Sequence, residues 1–368
     1  MKILYYIYGL NIGGAESFIF NVLTKIDMKK YHIDFILQSE KNENAKLIDL
    51  ARNKGCHFFY IEPFFNNPIK SCKELKQIAK DYNILHVHIN AMINISPILI
   101  GRQLDIPVIV HSHNTSSNKG NIGNIIHFFN RAIWNKKICR VSCGKEAGRW
   151  MFCKKDFQVI DNGINLNSYR FSNEYRNELR NKYQIGENDV VIGNIGRFVE
   201  AKNHKFILEC FVLFQKQHEN SWLVLVGDGE LKEELENKAK EMQIKNVIFT
   251  GNIHDAYKYY SMFDCMLFPS IFEGLPFTLI EAQASGLPIV ASDSITKDVN
   301  VTKTINYCSL NNTASDWCEI IETSIRKNYG INRTTSNEKM IGSIYDVETS
   351  VKKLERIYTR LSVREEKE

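Results

Sequence analysis

Between Phe268 and Pro288 the chain reads FPSIFEGLPFTLIEAQASGLP. This is the end of an apolar strand, a Gly274–Pro276 turn, a helix, and a Gly286–Pro288 turn into another strand. A strand–helix–strand unit of this kind joins parallel strands, so the fold is confined to an α/β sheet with covered faces.

The same alternation runs through the chain. In the first half, strands are expected at 2–8, 32–37, 57–61, 84–88, 108–111, 137–141 and 157–160. Helices fit between them, for example at 15–26, 45–54, 71–82 and 94–104. The turn signal Asn162-Gly163 interrupts the pattern. A polar helix follows at 173–183, and the alternation then restarts. Strands are expected at 190–196, 222–226, 246–250, 265–269 and 288–291, and helices at 205–217, 230–242, 255–262 and 278–285. With 368 residues the chain exceeds a single core. The expected organisation is therefore two Rossmann-like, doubly wound domains, 1–162 and 163–344. An amphipathic helix follows at 345–368, with Val347, Val351, Leu354, Tyr358 and Leu361 on one face. Two such domains imply a cleft at the carboxyl ends of their strands, and the polar candidates Gly13, Gly14, His88, His111, His113, Arg197, Gly227 and Glu273 all fall at strand ends.

Residues 1–160 hold 22 Lys and Arg against 12 Asp and Glu, a balance of +10, and the remainder balances at −5, giving +5 overall. The basic half suits an anionic partner or is simply an uneven solvated surface. No RNA-binding motif or stacking-aromatic pattern accompanies it, so nucleic acid is not expected. Nine cysteines without CxxC spacing suit reduced thiols in a cytosol. The apolar start at 2–8 is too short for a signal segment, and no run is long enough for a membrane-spanning helix.

Glu273 falls on the loop before the helix and Glu281 about two turns into it, flanking a helix start that offers N–H groups to an anion. Two carboxylates there can hold the hydroxyls of a sugar and a ribose. Arg197 and Lys202, in Gly196-Arg197-Phe198-Val199-Glu200-Ala201-Lys202-Asn203, can reach a diphosphate, although each alone reads equally as surface charge. Gly13 and Gly14 open a helix after the first strand, where the backbone can approach a phosphate, or they form a plain turn. His86/His88 and His111/His113 are two HxH pairs on strands. Either pair can present both rings to zinc, but no acidic or cysteine partner has metal-site spacing, so no metal is expected. His113 lies just past its strand and can face a cleft. No Asp-x-Asp occurs in the chain, so that metal-chelating carboxylate pair is missing.

The stretch from Asn124 to Lys137, NIIHFFNRAIWNKK, is apolar, aromatic and edged by cations. It reads as a core-facing helix or as an interfacial helix touching anionic lipid, with the core-facing form the simpler expectation.

Together these motifs resemble glycosyltransferase family 4, retaining enzymes of the GT-B fold, and within it the bacterial capsule and exopolysaccharide transferases. The resemblance runs through Gly13–Glu16, His111–Asn114, Asn162-Gly163, Gly196–Asn203, Gly227–Glu230 and Pro269–Pro288. It implies that Glu281 holds the nucleotide ribose and Glu273 the donor sugar. Backbone groups of Gly274, Leu275, Pro276, Phe277 and Thr278 would meet the diphosphate and sugar. Arg197 and Lys202 would bind the diphosphate, with Gly13, Gly14 and Gly227 around it. Ile253, in the segment 250–254, would lie against the base, and His113 near the anomeric carbon. The donor would be a nucleotide diphosphate sugar, most commonly UDP-linked. The acceptor would be a glycan or lipid-linked saccharide, no cofactor would be needed, and the protein would sit in the cytoplasm, peripherally at the membrane. One departure is the stretch Ser294–Asn300, which is poorer in glycine than the family pattern. Two rival readings are a sugar-nucleotide epimerase of the same fold, which should carry acidic catalytic residues in the first domain, and a non-catalytic sugar-nucleotide binder, which should lack some of the site residues present.

Overall fold

The structure is a computed structural model that describes all residues except Ile12, 40–43, 118–119, 135–137 and 366–368. The expected strand at 137–141 and the stretch 124–137 therefore lie partly outside the described residues. Among the described residues, thirteen strands form two parallel sheets, one in each of two compact units.

Unit 1 comprises Met1–Asn165 and Ile344–Glu368. Its strands are β1 (Lys2–Ile7), β2 (His32–Leu37), β3 (Phe58–Tyr60), β4 (Ile84–Ile89), β5 (Val108–Ser112), β6 (Cys139–Ser142) and β7 (Gln158–Val159). Their order is β3-β2-β1-β4-β5-β6-β7. The strands are rich in Ile, Leu, Val, Phe and Tyr because helices cover both faces, with polar exceptions at Asp34 and at the histidines of β4 and β5. Asn67 caps the helix Pro68–Ala79 by accepting from the Lys70 N–H at 3.1 Å, with Pro68 in the first turn.

Unit 2 is Leu166–Ser343, with β8 (Val190–Ile195), β9 (Ser221–Val226), β10 (Val247–Phe249), β11 (Cys265–Phe268), β12 (Ile289–Ser292) and β13 (Ile305–Cys308) in the order β10-β9-β8-β11-β12-β13. Both sheets thus turn back beside their first strand, at β1/β4 and β8/β11, the place where open α/β sheets bind ligands. The strand–turn–helix–turn–strand reading of 268–288 appears as β11, the helix Phe277–Ala284 and β12. Gly286, at φ +62°, ends that helix, with its N–H on the Gln283 carbonyl and the Leu287 N–H on that of Ala282.

The chain crosses between units at Asn165/Leu166 and at Ser343/Ile344, a few residues from the boundaries expected at 162/163 and 344/345. The cause is a short parallel bridge in which the Ile164 N–H donates to the Tyr345 carbonyl at 2.8 Å and the Val347 N–H to the Ile164 carbonyl at 3.1 Å. Gly163 serves this bridge by close approach, since a Cβ there would sit 2.6 Å from the Val347 nitrogen. The C-terminal helix Val347–Glu365 buries Val347, Val351, Leu354, Ile357 and Tyr358 in one core with Ile3, Tyr5 and Phe35 of unit 1.

The helix Gly120–Trp134 departs from its simpler expectation. Ile122, Ile125, Phe128, Phe129 and Ile133 are exposed, whereas His127 is buried. All nine cysteines are free thiols. No helix among the described residues is long and apolar enough to cross a membrane.

Candidate active site

In unit 2 the loops leaving β8 and β11 run side by side. The Ile271 N–H donates to the Ala201 carbonyl at 2.8 Å, and Asn203 Nδ2 to the Pro269 carbonyl at 3.3 Å. Asn203 adopts φ +55°, which closes the one-turn helix Glu200–Lys202 and aims Lys202 back across the loop. Lys202 Nζ lies 2.5 Å from Glu273 Oε1 and 5.1 Å from the centre of the Phe268 ring. Its stem passes 3.6 Å from where a Cβ on Gly196 would stand. Arg197 is exposed, and its guanidinium has no partner among the described residues. The two cations thus differ, one fixed on a carboxylate and one solvent-exposed.

The third loop is locked to the first by glycine. Gly227 has φ +145°, and a Cβ there would lie 2.0 Å from the Gly196 carbonyl oxygen. At Gly229 it would lie 2.4 Å from that of Phe198. The Phe198 N–H donates to the Asp228 carbonyl at 2.9 Å, and the Gly227 N–H to that of Gly251 at 3.2 Å. Ile253, half-buried, follows Gly251.

The helix Phe277–Ala284 begins beside Glu273 with no side-chain cap, because its preceding residue is Pro276. Gly274 faces open space, Leu275 is exposed, and Thr278 Oγ1 is buried without a hydrogen-bond partner. An uncapped helix start with an orphaned hydroxyl is built to receive an anion's oxygens. Ser294 Oγ donates to the Ser270 carbonyl at 2.9 Å, so the glycine-poor stretch is tied to the Glu273 loop.

Glu281 is engaged in a way the sequence did not suggest. The Tyr260 hydroxyl donates to Glu281 Oε2 at 2.5 Å. Burial pushes the Glu281 carboxyl above its ordinary value, against the hydrogen bonds from Tyr260 and Tyr169, which pull it down. Arg333, which the sequence did not single out either, donates to the backbone carbonyls of Tyr260 at 2.7 Å, Phe263 at 2.8 Å and Ser285 at 3.0 Å. It therefore anchors Tyr260 and the end of the Glu281 helix together. No local motif marks Tyr169, Tyr260 or Arg333.

In unit 1, Gly13 precedes the helix Gly14–Lys25 without a side-chain cap. A Cβ on Gly13 would lie 2.7 Å from Glu16 Oε2. Burial raises the Glu16 carboxyl, while its own N–H and that of Asn11 oppose the rise. The Asn162 amide reaches the Gly14 carbonyl at 3.5 Å.

His113 belongs to a cluster of four imidazoles. The β4/β5 register pairs His88 with His111, which brings both HxH pairs together. His88 Nδ1 lies 2.9 Å from His113 Nε2. His86 Nε2 lies 3.3 Å from His111 Nδ1, and His86 Nδ1 lies 2.9 Å from the Tyr358 hydroxyl, which meets Tyr5 at 2.8 Å. Burial lowers all four below the ordinary value, His113 to about 3, so they are neutral. His86, His88 and His111 keep nitrogens within 4.8 Å of one another, so a three-histidine set replaces the expected isolated pairs. Four of the ring contacts are stacked, with planes 9° to 26° apart, and the His88–His111 contact is tilted at 30°. His32, Asp34 and His57 form a second set at the amino ends of the strands. There Asp34 accepts from the Tyr82 hydroxyl at 2.7 Å and the His57 N–H at 2.6 Å.

Residues 175–323 match the family model for glycosyl transferases group 1. EpsF of Bacillus subtilis (strain 168), a protein named as a glycosyltransferase, is 30% identical over 87% of this chain and 86% of its own length. The capsular polysaccharide biosynthesis glycosyltransferase CapH of Staphylococcus aureus is 24% identical over 97% of this chain and 98% of its own. The UDP-Gal:alpha-D-GlcNAc-diphosphoundecaprenol alpha-1,3-galactosyltransferase of Escherichia coli is 25% identical over 61% of this chain and 62% of its own. Among solved structures, Anabaena Alr3699/HepE in complex with UDP superposes with a TM-score of 0.74 at 17% identity, covering 98% of this chain and all of that one. That likeness agrees with two Rossmann-like domains of the GT-B type. The chain belongs to the group 1 glycosyl transferases and is a glycosyltransferase.

Proposed function

We propose that the protein moves a sugar from a UDP-sugar to a lipid-linked saccharide, with retention and without a metal, in the synthesis of a capsular or exported polysaccharide. The observation that carries this reading is the Lys202–Glu273 pair, held beside the uncapped start of the Phe277–Ala284 helix at the β8/β11 turning point. The diphosphate takes the helix start, Arg197 and Lys202. The ribose hydroxyls take Glu281, and the sugar hydroxyls take Glu273.

In the proposed step an acceptor hydroxyl oxygen attacks the anomeric carbon on the face the diphosphate leaves. The carbon–oxygen bond to phosphate breaks, its electron pair goes to the phosphate oxygen, and the acceptor's proton passes to that oxygen. Lys202 and Arg197 neutralise the charge that develops, the role a metal held by an Asp-x-Asp pair would otherwise fill. Retention then needs no enzyme nucleophile. The names of the capsular and diphosphoundecaprenol relatives support the choice of pathway and acceptor, and UDP in the superposed neighbour supports the nucleotide. A cytosolic site of action, peripheral at the inner face of the membrane, follows from an acceptor of this kind.

The test supplies UDP-glucose, UDP-galactose, UDP-N-acetylglucosamine and GDP-mannose with a sugar diphospholipid, in the presence of EDTA, and reads the product by mass spectrometry and NMR. An α-linked product from a UDP donor is expected. An inverted linkage, or activity that EDTA removes and a divalent cation restores, overturns the mechanism.

A further inference from the structure

The helix Gly120–Trp134 is built inside out. Ile122, Ile125, Phe129 and Ile133 fall at spacings of three and four, the stripe that normally faces a core, yet they are between 57% and 73% exposed. Its polar face points inward and is fixed by hydrogen bonds. His127 Nδ1 accepts from the Met92 N–H at 3.0 Å, so the opposite ring nitrogen donates to the Trp150 carbonyl at 3.2 Å. Asn130 donates to the Met92 carbonyl at 2.9 Å, and Arg131 to that of Trp150 at 2.8 Å. With those partners held, the helix cannot roll its apolar stripe inward without stranding several buried polar groups.

Charge identifies what covers the stripe. The helix carries no acidic residue, and residues 119–155 hold nine Lys and Arg against the single Glu146. The Arg131 guanidinium lies 5.2 Å from the centre of the Phe128 ring, an apolar ring edged by a cation. Aliphatic and phenylalanine side chains exposed within a segment whose sequence is strongly basic, and so sets up a cationic field, fit the boundary between acyl chains and acidic headgroups. A second copy of this face would bring two such fields together, which opposes self-association.

We propose that the outward face of this helix is a membrane-docking surface that seats on an anionic lipid bilayer. The inference extends the reading of a lipid-linked acceptor, and its test lets the two fail separately. The full-length chain is floated with vesicles of phosphatidylcholine alone and with vesicles containing about one third phosphatidylglycerol. The wild type is expected to float with the second and not the first, and to be released by high salt. Replacing Phe129→Glu together with Ile133→Glu should weaken flotation at least roughly tenfold, because two exposed anchors become anions facing anions. Thermal stability and transfer to a soluble short-chain acceptor should be unchanged in the double variant.

A wild type that does not float, or a double variant that floats equally well, overturns the proposal. So does a wild-type dimer that the same substitutions dissolve, since the face would then be a protein interface. Flotation that persists while no lipid-linked saccharide is glycosylated leaves the docking surface standing and removes the acceptor reading.

Discussion

Lys202 Nζ and Glu273 Oε1 stand 2.5 Å apart, on loops from neighbouring strands β8 and β11, with side chains only 19% and 12% exposed. The pair holds the carboxylate and the ammonium in place before any donor arrives, so each loses its partner when the other is removed. Lys202→Ala should lower kcat by about 10²–10³, the usual effect of removing one transition-state charge partner. Glu273→Ala should do likewise, with folding intact by circular dichroism. Wild-type-like turnover in either variant contradicts the assignment.

The Tyr260 hydroxyl stabilises the ionised form of Glu281, whereas burial favours the neutral form. The folded value therefore lies above the unfolded one. Stability from this group is fully present below the unfolded carboxylate value and is lost as pH rises through the folded one. Tyr260→Phe removes the opposing hydrogen bond and raises the folded value further. The variant should lose about 1–3 kcal/mol at pH 8 and markedly less at pH 4, measured by urea unfolding. UDP should also bind several-fold more weakly by calorimetry. A pH-independent loss contradicts an ionised Glu281.

Gly227 stands in a left-handed conformation, with the Gly196 carbonyl oxygen 2.0 Å from its absent Cβ. Gly227→Ala must move the loop that carries Arg197 and Lys202. The expected outcome is a loss of more than about 2 kcal/mol in unfolding free energy and a raised donor KM. Gly274→Ala, which meets only open space at Cβ, should leave stability within about 0.5 kcal/mol and serves as the control.

Both sheets were legible in the sequence because each strand is an apolar run bounded by turn residues. The strand Ile305–Cys308 was not, since only its ends Ile305 and Cys308 are buried, with exposed Asn306 and half-buried Tyr307 between them. The helix Ala314–Asn328 was also missing from the expected elements, despite the capping box Thr313/Asp316. Within the candidate site, Glu273, Lys202 and the helix start lie in local motifs. Tyr260, Tyr169 and Arg333 reach the site through tertiary packing, and no spacing announces that. The orientation of the Gly120–Trp134 helix was hidden for a related reason. Its periodicity gives a stripe, but only the partners of His127 and Asn130 decide which side turns inward.

The four stacked histidines give the chain a marked acid sensitivity. His86, His88, His111 and His113 all have folded values below the ordinary 6.5, chiefly through burial, and His113 falls to about 3. A lowered value means that the unfolded chain binds protons the folded chain refuses. Stability is therefore intact above about 6.5 and lost as pH falls from there toward the folded values. Each fully neutral histidine contributes up to about 1.4 kcal/mol per pH unit in that window. Unfolding free energy should drop by at least about 3 kcal/mol between pH 7.5 and pH 5.5. In the folded protein the imidazole carbon shifts of all four should stay constant across the same range. His111→Phe removes one proton acceptor from the unfolded balance, so its loss over the same interval should be smaller by about 1 kcal/mol, even if the variant is less stable at neutral pH. An imidazole in the cluster that titrates near 6.5 in the folded protein contradicts the account.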